Sequence, residues 1–261
     1  MNQLMGSLEH QATFAESRLP VIVDGLRLAG AAYVPNDARA LVLLLHGIPS
    51  TNPPDPDDLG YPGLARRFAA EGFAAAWIDM RGAHSSPGFF SIEGWVRDAL
   101  AALYAATSLE GAQGLPVAMV GSSAGGAVAT EVAKRGAPVK ALCLLAAPAR
   151  WISFASDPAE GLRRITVEAG MEVAPGVLEN PSVWAAEFES VQTETSITQV
   201  GCPVLIVHGT EDDVVPVDHA QRIADRAARA ELRIIEGADH HLRRDEGAVT
   251  MVIDFLRRQL G

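Results

Sequence analysis

Short apolar runs alternate with longer amphipathic segments along most of this chain. The short runs have the length and composition of strands buried on both faces, and they lie at 20–23, 26–33, 40–45, 73–78, 116–121, 139–147, 204–208 and 232–235. The longer segments carry apolar residues at helical spacing and lie at 61–71, 92–108, 124–135, 218–230 (with Asp218 as N-cap) and 246–260. This alternation predicts an α/β fold, in which a mostly parallel central sheet is flanked by helices.

One long segment, residues 149–201, interrupts the alternation. It spans about fifty residues without a strand signal, and it has two short helical patterns near 158–170 and 181–191. Structureless loops longer than ~15 residues are uncommon in compact domains. The segment is therefore predicted to be a small helical cap, inserted in a core that residues 1–148 and 202–261 form.

The composition argues against several classes of protein. The chain has 261 residues, 48% of them hydrophobic and 20% charged, with a formal net charge of −11. An acidic chain repels phosphate backbones, so nucleic acid is not an expected partner. No apolar run reaches the ~18 residues of a membrane span, so no membrane partner is expected. With only Cys143 and Cys202, and no signal-peptide pattern, we expect a cytoplasmic location with reduced thiols.

A candidate nucleophilic serine lies in the segment Gly121-Ser122-Ser123-Ala124-Gly125, which fits the pattern G-x-S-x-G. A predicted strand runs into this pentapeptide and a predicted helix runs out of it, which is the setting of a nucleophile elbow. The flanking glycines select Ser123 rather than Ser122. The alternatives are a glycine-rich turn with an ordinary serine, or a phosphate-binding loop. Neither G-x-x-x-x-G-K-[ST] nor a strict G-x-G-x-x-G accompanies the pattern.

A nucleophilic serine needs a base to take its proton. His240 and His241 follow the last predicted strand, at the sheet edge where the sites of open α/β sheets lie. The acid that would orient this base lies among Glu211, Asp212 and Asp213, which follow the preceding strand at the same edge. The chain order of the three groups is therefore Ser, Asp, His.

With these motifs, the sequence resembles the α/β-hydrolase superfamily, and in particular its esterase-like serine hydrolases with a small helical cap. The resemblance covers residues 20–260. It rests on His46-Gly47, Asp79-Met80-Arg81-Gly82, Gly121-Ser122-Ser123-Ala124-Gly125, His208-Gly209-x-x-Asp212-x-x-Val215-Pro216 and Gly237-Ala238-Asp239-His240. It implies Ser123 as nucleophile, Asp212 as acid and His240 as base. The motif spacing favours Asp212 over Asp213, and His240 over His241.

The oxyanion hole of such an enzyme needs two backbone N–H groups. One is expected from Ala124, the residue after the nucleophile. The resemblance places the second at Ile48, just after His46-Gly47, and Pro49 cannot replace it because proline has no N–H. The single glycine here departs from the HGGG run of one branch of lipases and esterases, which argues against membership in that branch.

Four aromatic residues of the insert have two possible roles. They either line the substrate pocket or form the core of the insert itself, and they are Trp151, Phe154, Trp184 and Phe188. The insert is expected to roof the active site, because it follows a strand that ends at the edge presenting Ser123. The proline- and aspartate-rich segment 49–62 is expected to form a second wall.

Other residues receive structural interpretations. His46 is expected to hydrogen-bond around the oxyanion loop, and His208 to pack at a strand edge. The carboxylates of 49–62, which are Asp55, Asp57 and Asp58, suggest a solvated acidic loop rather than a metal site. We therefore expect neither metal nor cofactor.

The resemblance implies hydrolysis of a small-molecule carboxylic ester through a Ser-His-Asp triad and an acyl-enzyme intermediate. Two alternatives stay open: the same triad acting on an amide, a peptide or a thioester, and a non-catalytic ligand-binding protein with this fold. The natural substrate, its acyl chain length and the oligomeric state are not encoded in these motifs.

Overall fold

The computed structural model describes residues 14–51, 55–151 and 157–261. Its strands are β1 Glu16–Arg18, β2 Val21–Val23, β3 Leu26–Leu28, β4 Gly30–Tyr33, β5 Leu41–Leu45, β6 Ala74–Ile78, β7 Val117–Ser122, β8 Val139–Leu145, β9 Val204–Gly209 and β10 Ala230–Ile235. Eight of these form the central sheet, in the order β1-β4-β6-β5-β7-β8-β9-β10, and β2 pairs with β3 in a separate hairpin.

The sheet is parallel from β6 to β10, and β4 and β1 extend it with antiparallel pairing at one edge. Every residue of β5 and β6 is buried. Such continuous burial requires helices on both faces, since a face left open to water would select polar residues at alternate positions. The predicted mostly parallel sheet is confirmed.

Helices cover both faces of the sheet and also form the insert between β8 and β9. In the described residues they are α1 Gly60–Ala70, α2 Ile92–Thr107, α3 Ala124–Lys134, α4 Pro158–Arg163, α5 Pro175–Glu179, α6 Pro181–Ser190, α7 Thr193–Ser196, α8 Asp218–Ala224 and α9 Glu246–Leu260. Apolar residues of α1 and α9 form a core on one face, and those of α2, α3 and α8 form a core on the other. None of the described helices has both the length and the apolar composition needed to cross a bilayer.

The predicted single strand at 26–33 is instead two strands that belong to different sheets. Leu28 pairs with Val21 in the hairpin, whereas Gly30 pairs with Ile78 in the central sheet. Between them, the Ala29 N–H donates a hydrogen bond of 2.9 Å to Ser86 Oγ. The hydroxyl of Ser86, 57 positions away, thus takes the place of a backbone acceptor on a neighbouring strand. The local alternation of apolar and polar residues does not predict this break in the strand.

The helix predicted at 218–230 is shorter than expected. Asp218 is its first helical residue rather than its N-cap, which is Val217, and the helix ends at Ala224. The following strand begins at Ala230, two residues before its predicted start. The apolar pattern around these boundaries fits either element, and the pairing of β10 with β9 decides between them.

Every regular element described between β8 and β9 is helical. Hydrogen bonds between side chains join this insert to the core: Ser196 Oγ donates to Glu131 at 2.6 Å, and Ser91 Oγ donates to Glu187 at 2.6 Å. Arg222 of α8 pairs with Glu194 at 2.7 Å. These contacts fasten the insert to the N-cap residue of α2, to α3 and to α8.

Candidate active site

Ser123 lies at the sharp turn between β7 and α3. Its backbone has a φ of +50° and a ψ of −123°, a left-handed conformation that is uncommon for a residue with a side chain. Its N–H donates to Leu145 O at 2.8 Å, and its carbonyl accepts from Gly126 N–H at 2.8 Å. Such strain persists only where the surroundings fix it, and it is typical of functional sites.

Glycines make this turn possible. A Cβ added to Gly121 would lie 2.3 Å from the carbonyl oxygen of Gly125. One added to Gly125 would lie 2.4 Å from the carbonyl oxygen of Leu45, on the neighbouring strand. Helix α3 therefore starts against the sheet at a distance that only glycine permits. These two close backbone contacts explain why the G-x-S-x-G pattern has glycine at both ends.

The two expected oxyanion donors lie beside Ser123. Ala124 is the first residue of α3, so its N–H belongs to the first helical turn, which has no intrahelical partners. Ile48 follows Gly47, where an added Cβ would lie 2.9 Å from Ser123 Cβ and 3.4 Å from Ser123 Oγ. The loop that carries Ile48 therefore passes directly against the serine side chain.

His46 holds this loop in place. Its Nδ1–H donates to Gly47 O at 2.7 Å, and its Nε2 accepts from Met80 N–H at 2.9 Å. Burial lowers the pKa of the imidazole from 6.5 to about 4, so the ring is neutral at pH 7. The structural role predicted for His46 is confirmed by these two contacts.

The neutral burial of His46 predicts acid sensitivity. As pH falls from 6.5 toward 4, the unfolded chain binds a proton that the folded protein does not, so stability decreases. Between pH 7 and pH 5 this group should lower the free energy of unfolding by about 2 kcal/mol. Urea unfolding of wild type and His46→Gln at both pH values measures it. Equal pH dependence in the two proteins would contradict the assignment.

Asp212 and His240 form a buried pair. His240 Nδ1 lies 2.8 Å from Asp212 Oδ2 and 3.0 Å from Oδ1, and the Asp212 side chain is fully buried. The backbone N–H groups of Val214 and Val215 donate to Oδ1 at 3.0 and 2.8 Å. An ionised carboxylate only accepts, so His240 carries its proton on Nδ1 and turns Nε2 away from the aspartate.

The neighbouring candidates do not make this pairing. Asp213 is exposed, and His241 is exposed with its Nδ1 3.7 Å from Asp239. Glu211 is also exposed. The geometry therefore selects Asp212 and His240 from the alternatives that the residues alone left open.

His208 also contacts the acid. Its side chain is completely buried, and its Nε2 lies 3.1 Å from Asp212 Oδ2 and 2.8 Å from Val215 O. This contact is not predicted by the sequence, from which His208 is expected only to pack at a strand edge. The spacing of four residues between His208 and Asp212 was visible, but only the turn at 209–212 brings the two side chains together.

Burial by itself would raise the pKa of Asp212. The hydrogen bonds from His208 and His240 outweigh it and hold the pKa of this carboxyl well below its usual range. Asp212 is therefore ionised throughout the range in which a histidine titrates.

Ser123 and His240 line one cavity of about 890 Å³. The core contributes the apolar residues Ile48, Pro49, Pro148, Val214, Val215 and Pro216, and the insert contributes Trp151, Ile165 and Ala169. The charged lining residues are Arg150, Arg164, Glu168 and Asp213. The insert thus borders the site as expected, and the apolar lining suits a substrate with a hydrophobic group.

The family of this chain follows from a match over most of its length. The profile of the Alpha/beta hydrolase family matches residues 42–250. This chain belongs to the alpha/beta hydrolase family. The match spans β5 to α9 and includes all three candidate triad residues. Among curated proteins, none matches this hydrolase significantly by sequence.

Solved structures share the fold of this hydrolase at low sequence identity. Est1E from Butyrivibrio proteoclasticus, solved with ferulic acid bound, is 20% identical with a TM-score of 0.69, over 95% of this chain and 99% of that chain. The Pyrococcus furiosus esterase Pf2001 is 17% identical with a TM-score of 0.69, over 100% and 97%. The 2-hydroxy-6-oxo-6-phenylhexa-2,4-dienoate hydrolase of Rhodococcus sp. strain RHA1 is 18% identical with a TM-score of 0.66, over 94% and 99%.

The aromatic residues of the insert divide between pocket and core in this hydrolase. Trp151 lines the cavity, and Phe154 lies outside the described residues. Of the two roles left open for Trp184 and Phe188, the structure supports the core of the insert rather than the pocket, because both are buried and neither lines the cavity. Their ring centroids lie 6.3 and 6.1 Å from Phe90, so they join the insert to the core. Helical spacing alone does not say which side of the insert faces the cavity.

Trp184→Ala is therefore expected to lower stability and to leave substrate preference unchanged. Removal of a fully buried tryptophan costs about 3–5 kcal/mol through lost burial and the resulting cavity. Thermal unfolding and an acyl-length profile on the same variant measure both effects. Val183→Ala is the matched control, since Val183 is the preceding residue on α6 and is 66% exposed. An altered profile with unchanged stability would contradict the core assignment.

Two carboxylates of the acidic segment 49–62, those of Asp55 and Asp58, form ion pairs. Asp58 Oδ1 accepts from Arg243 at 2.7 Å, and Asp55 lies 3.3 Å from Arg244. These arginines follow His240 closely, so the pairs tie the loop beside the cavity to the segment that carries His240. In the described ranges no three His, Cys, Asp or Glu side chains converge as a metal-binding group.

Proposed function

We propose that this hydrolase cleaves carboxylic esters, with Ser123 as nucleophile, His240 as general base and Asp212 as the acid that orients it. The observation that carries the proposal is the hydrogen bond of 2.8 Å between His240 and Asp212, at a cavity that Ser123 also lines. The strained turn at Ser123 supports the same assignment. A glycine-rich turn with an ordinary serine would not need a buried acid–base pair opposite it.

In the acylation step, Ser123 Oγ attacks the ester carbonyl carbon while His240 Nε2 takes the hydroxyl proton. Negative charge develops on the carbonyl oxygen, where the N–H groups of Ile48 and Ala124 would stabilise it. The tetrahedral intermediate collapses as the C–O bond to the alcohol breaks. The leaving alkoxide takes the proton from His240, and an acyl-Ser123 ester remains.

In the deacylation step, water replaces the alcohol. His240 takes a proton from water as the oxygen attacks the acyl carbon, and the same oxyanion donors serve again. Collapse of the second intermediate breaks the bond to Ser123 Oγ, which recovers its proton from His240. The products are a carboxylic acid and the free enzyme. Asp212 stays ionised and stabilises the transient imidazolium.

Esters are favoured over amides because an alcohol leaves more easily than an amine. Pf2001 shares this fold and is named as an esterase, and Est1E, which also shares it, was solved with ferulic acid bound. The apolar walls of the cavity supply binding energy for a hydrophobic acyl or alcohol group, at ~0.8 kcal/mol per buried methylene. No described element of this chain adds a further large domain of the kind that restricts some peptidases of this superfamily to short peptides.

A panel of p-nitrophenyl esters with acyl groups of two to sixteen carbons, together with a methyl ester of ferulic acid, tests this proposal. The matching p-nitroanilide and thioester serve as controls for bond type. We expect ester hydrolysis, and we expect a fluorophosphonate to label Ser123 with loss of fluoride. Absence of both hydrolysis and labelling would favour the non-catalytic alternative. Faster turnover of the anilide or thioester would reassign the bond.

The pH dependence of kcat/KM provides a second test. Protonation of a histidine base removes its acceptor, so the rate should fall with decreasing pH in the range near ~6.5 where histidines titrate. Asp212 does not contribute to this fall, because its pKa is held far below that range. Initial rates on a short ester between pH 4 and pH 9 measure the profile. A constant rate from pH 5 to pH 8 would exclude a histidine base.

A further inference from the structure

The triad acid has a second imidazole neighbour. His208 is the penultimate residue of β9 and has no exposed surface. Its Nε2 lies 3.1 Å from Asp212 Oδ2 and 2.8 Å from Val215 O. A carbonyl oxygen and an ionised carboxylate only accept, so Nε2 carries a proton. The single Nε2–H is shared: it donates to Val215 O at the shorter distance, and it also lies close to the carboxylate oxygen of Asp212 that receives the bond from His240.

The other nitrogen of this ring defines its charge. His208 Nδ1 is buried, and it has no hydrogen-bond partner within the described ranges. A protonated ring would bury a positive charge and an N–H without an acceptor, which costs more than the single unpaired acceptor of a neutral ring. The environment therefore fits the neutral tautomer with its proton on Nε2. A neutral donor can polarise Asp212 without competing with His240 as a positive charge.

The two oxygens of Asp212 are held differently. Oδ1 accepts from the N–H groups of Val214 and Val215. Oδ2 receives His240 and faces His208. Two side chains of the described residues contact Oδ2, those of His240 and His208. Without His208, His240 alone would hold that oxygen, and the orientation of the carboxylate would be less well defined.

The other titratable groups around this pair are few. His219 of α8 faces His208 and accepts from Ala149 N–H through Nδ1 at 3.0 Å. Asp218, Arg222 and Glu194 surround His219 in turn, and burial is the main cause that lowers the pKa of His219. Asp213 is adjacent but exposed.

We propose that His208 is a positioning residue for the hydrolysis: its Nε2–H holds Asp212 in the orientation that receives His240 and disperses part of the carboxylate charge. This inference rests on the proposed function. Loss of the donor would leave Asp212 more basic and less well oriented. His240 would then hold its proton more tightly, and Ser123 would be deprotonated less efficiently.

His208→Leu removes the donor and keeps an apolar side chain of similar size. We expect kcat to fall about 10–100-fold with KM unchanged, and the acidic limb of kcat/KM to move upward by about 0.5–1 pH unit, the size expected for one lost charge-assisted hydrogen bond. His208→Gln can place an amide N–H near the position of Nε2. It should restore kcat to within about threefold of wild type and return the limb to its original pH.

The Asp212→Asn background identifies the route of the effect. If His208 acts through Asp212, then adding His208→Leu to Asp212→Asn should lower the residual rate by less than twofold. A full additional loss in the double variant, or an unmoved pH limb in the single variant, would overturn the inference. If His208→Leu does not fold, His208→Asn replaces it, because its shorter amide does not reach Asp212.

Different results would refute the proposed triad and the proposed role of His208. Full activity in Asp212→Asn would refute the proposed triad itself. Large loss in Asp212→Asn with wild-type kcat and pH profile in His208→Leu would refute only the role of His208. Reduced thermal stability of His208→Leu without a kinetic change would likewise assign His208 to packing alone.

Discussion

Ser123→Ala should lower kcat for ester hydrolysis by on the order of 10⁶-fold and leave the fold intact. The substitution removes only one heavy atom, the hydroxyl oxygen Oγ. The residue is half-buried, and the surrounding glycines fix the geometry of its turn. The reaction then has no nucleophile to form the acyl-enzyme. Binding of the ester should persist, because the cavity walls and oxyanion donors remain. Circular dichroism, thermal unfolding and single-turnover hydrolysis of a p-nitrophenyl ester measure these outcomes.

Ser122→Ala is the matched control for this experiment. Ser122 is the neighbouring serine, also half-buried, but it is the last residue of β7 rather than the residue at the turn. We expect it to retain wild-type kcat within a few-fold. Activity that survives Ser123→Ala and disappears in Ser122→Ala would transfer the nucleophile to the strand. Equal loss in both variants, accompanied by unfolding, would indicate damage to the turn.

Asp212→Asn should lower kcat by about 10⁴-fold, since it forces His240 into the wrong tautomer. Val214 and Val215 donate two backbone N–H groups to Oδ1, so the asparagine would place its carbonyl oxygen there. Its NH2 group would then replace Oδ2 and donate to His240 Nδ1. That leaves the proton on Nε2, where the ring has to accept the proton of Ser123. The imidazolium would also lose its neighbouring negative charge.

Asp213→Asn is the control for Asp212→Asn. It changes the same functional group at the next position, but Asp213 is exposed and does not contact His240 through any hydrogen bond described here. Its kcat should stay within a few-fold of wild type. Steady-state kinetics of both variants on one ester, with thermal unfolding as the check on folding, decide the assignment. The reverse order of effects would move the acid to Asp213.

Most of the fold could be predicted from the local pattern of apolar residues. A strand buried on both faces needs an unbroken apolar run, and a surface helix needs a stripe of apolar residues along one side. The five parallel strands from β5 to β9 were therefore visible as runs, and each lies within two residues of its predicted bounds. The edge of the sheet was harder. Glu16–Arg18 is exposed throughout and has no apolar signature. Its pairing with β4 comes from backbone hydrogen bonds and from the hydrogen bond of 3.0 Å that Tyr33 OH donates to Glu16.

The elbow at Ser123 and the order of the three candidate groups are local features of the chain, since they depend on glycines and short motifs. The remaining features of the site come from long-range packing. It set Asp212 against His240 and His208, turned Trp184 and Phe188 into the core, and left Trp151 at the cavity. Those outcomes depend on which faces meet when distant segments pack. Helical periodicity fixes that a face is apolar, but the packed neighbours fix what that face contacts.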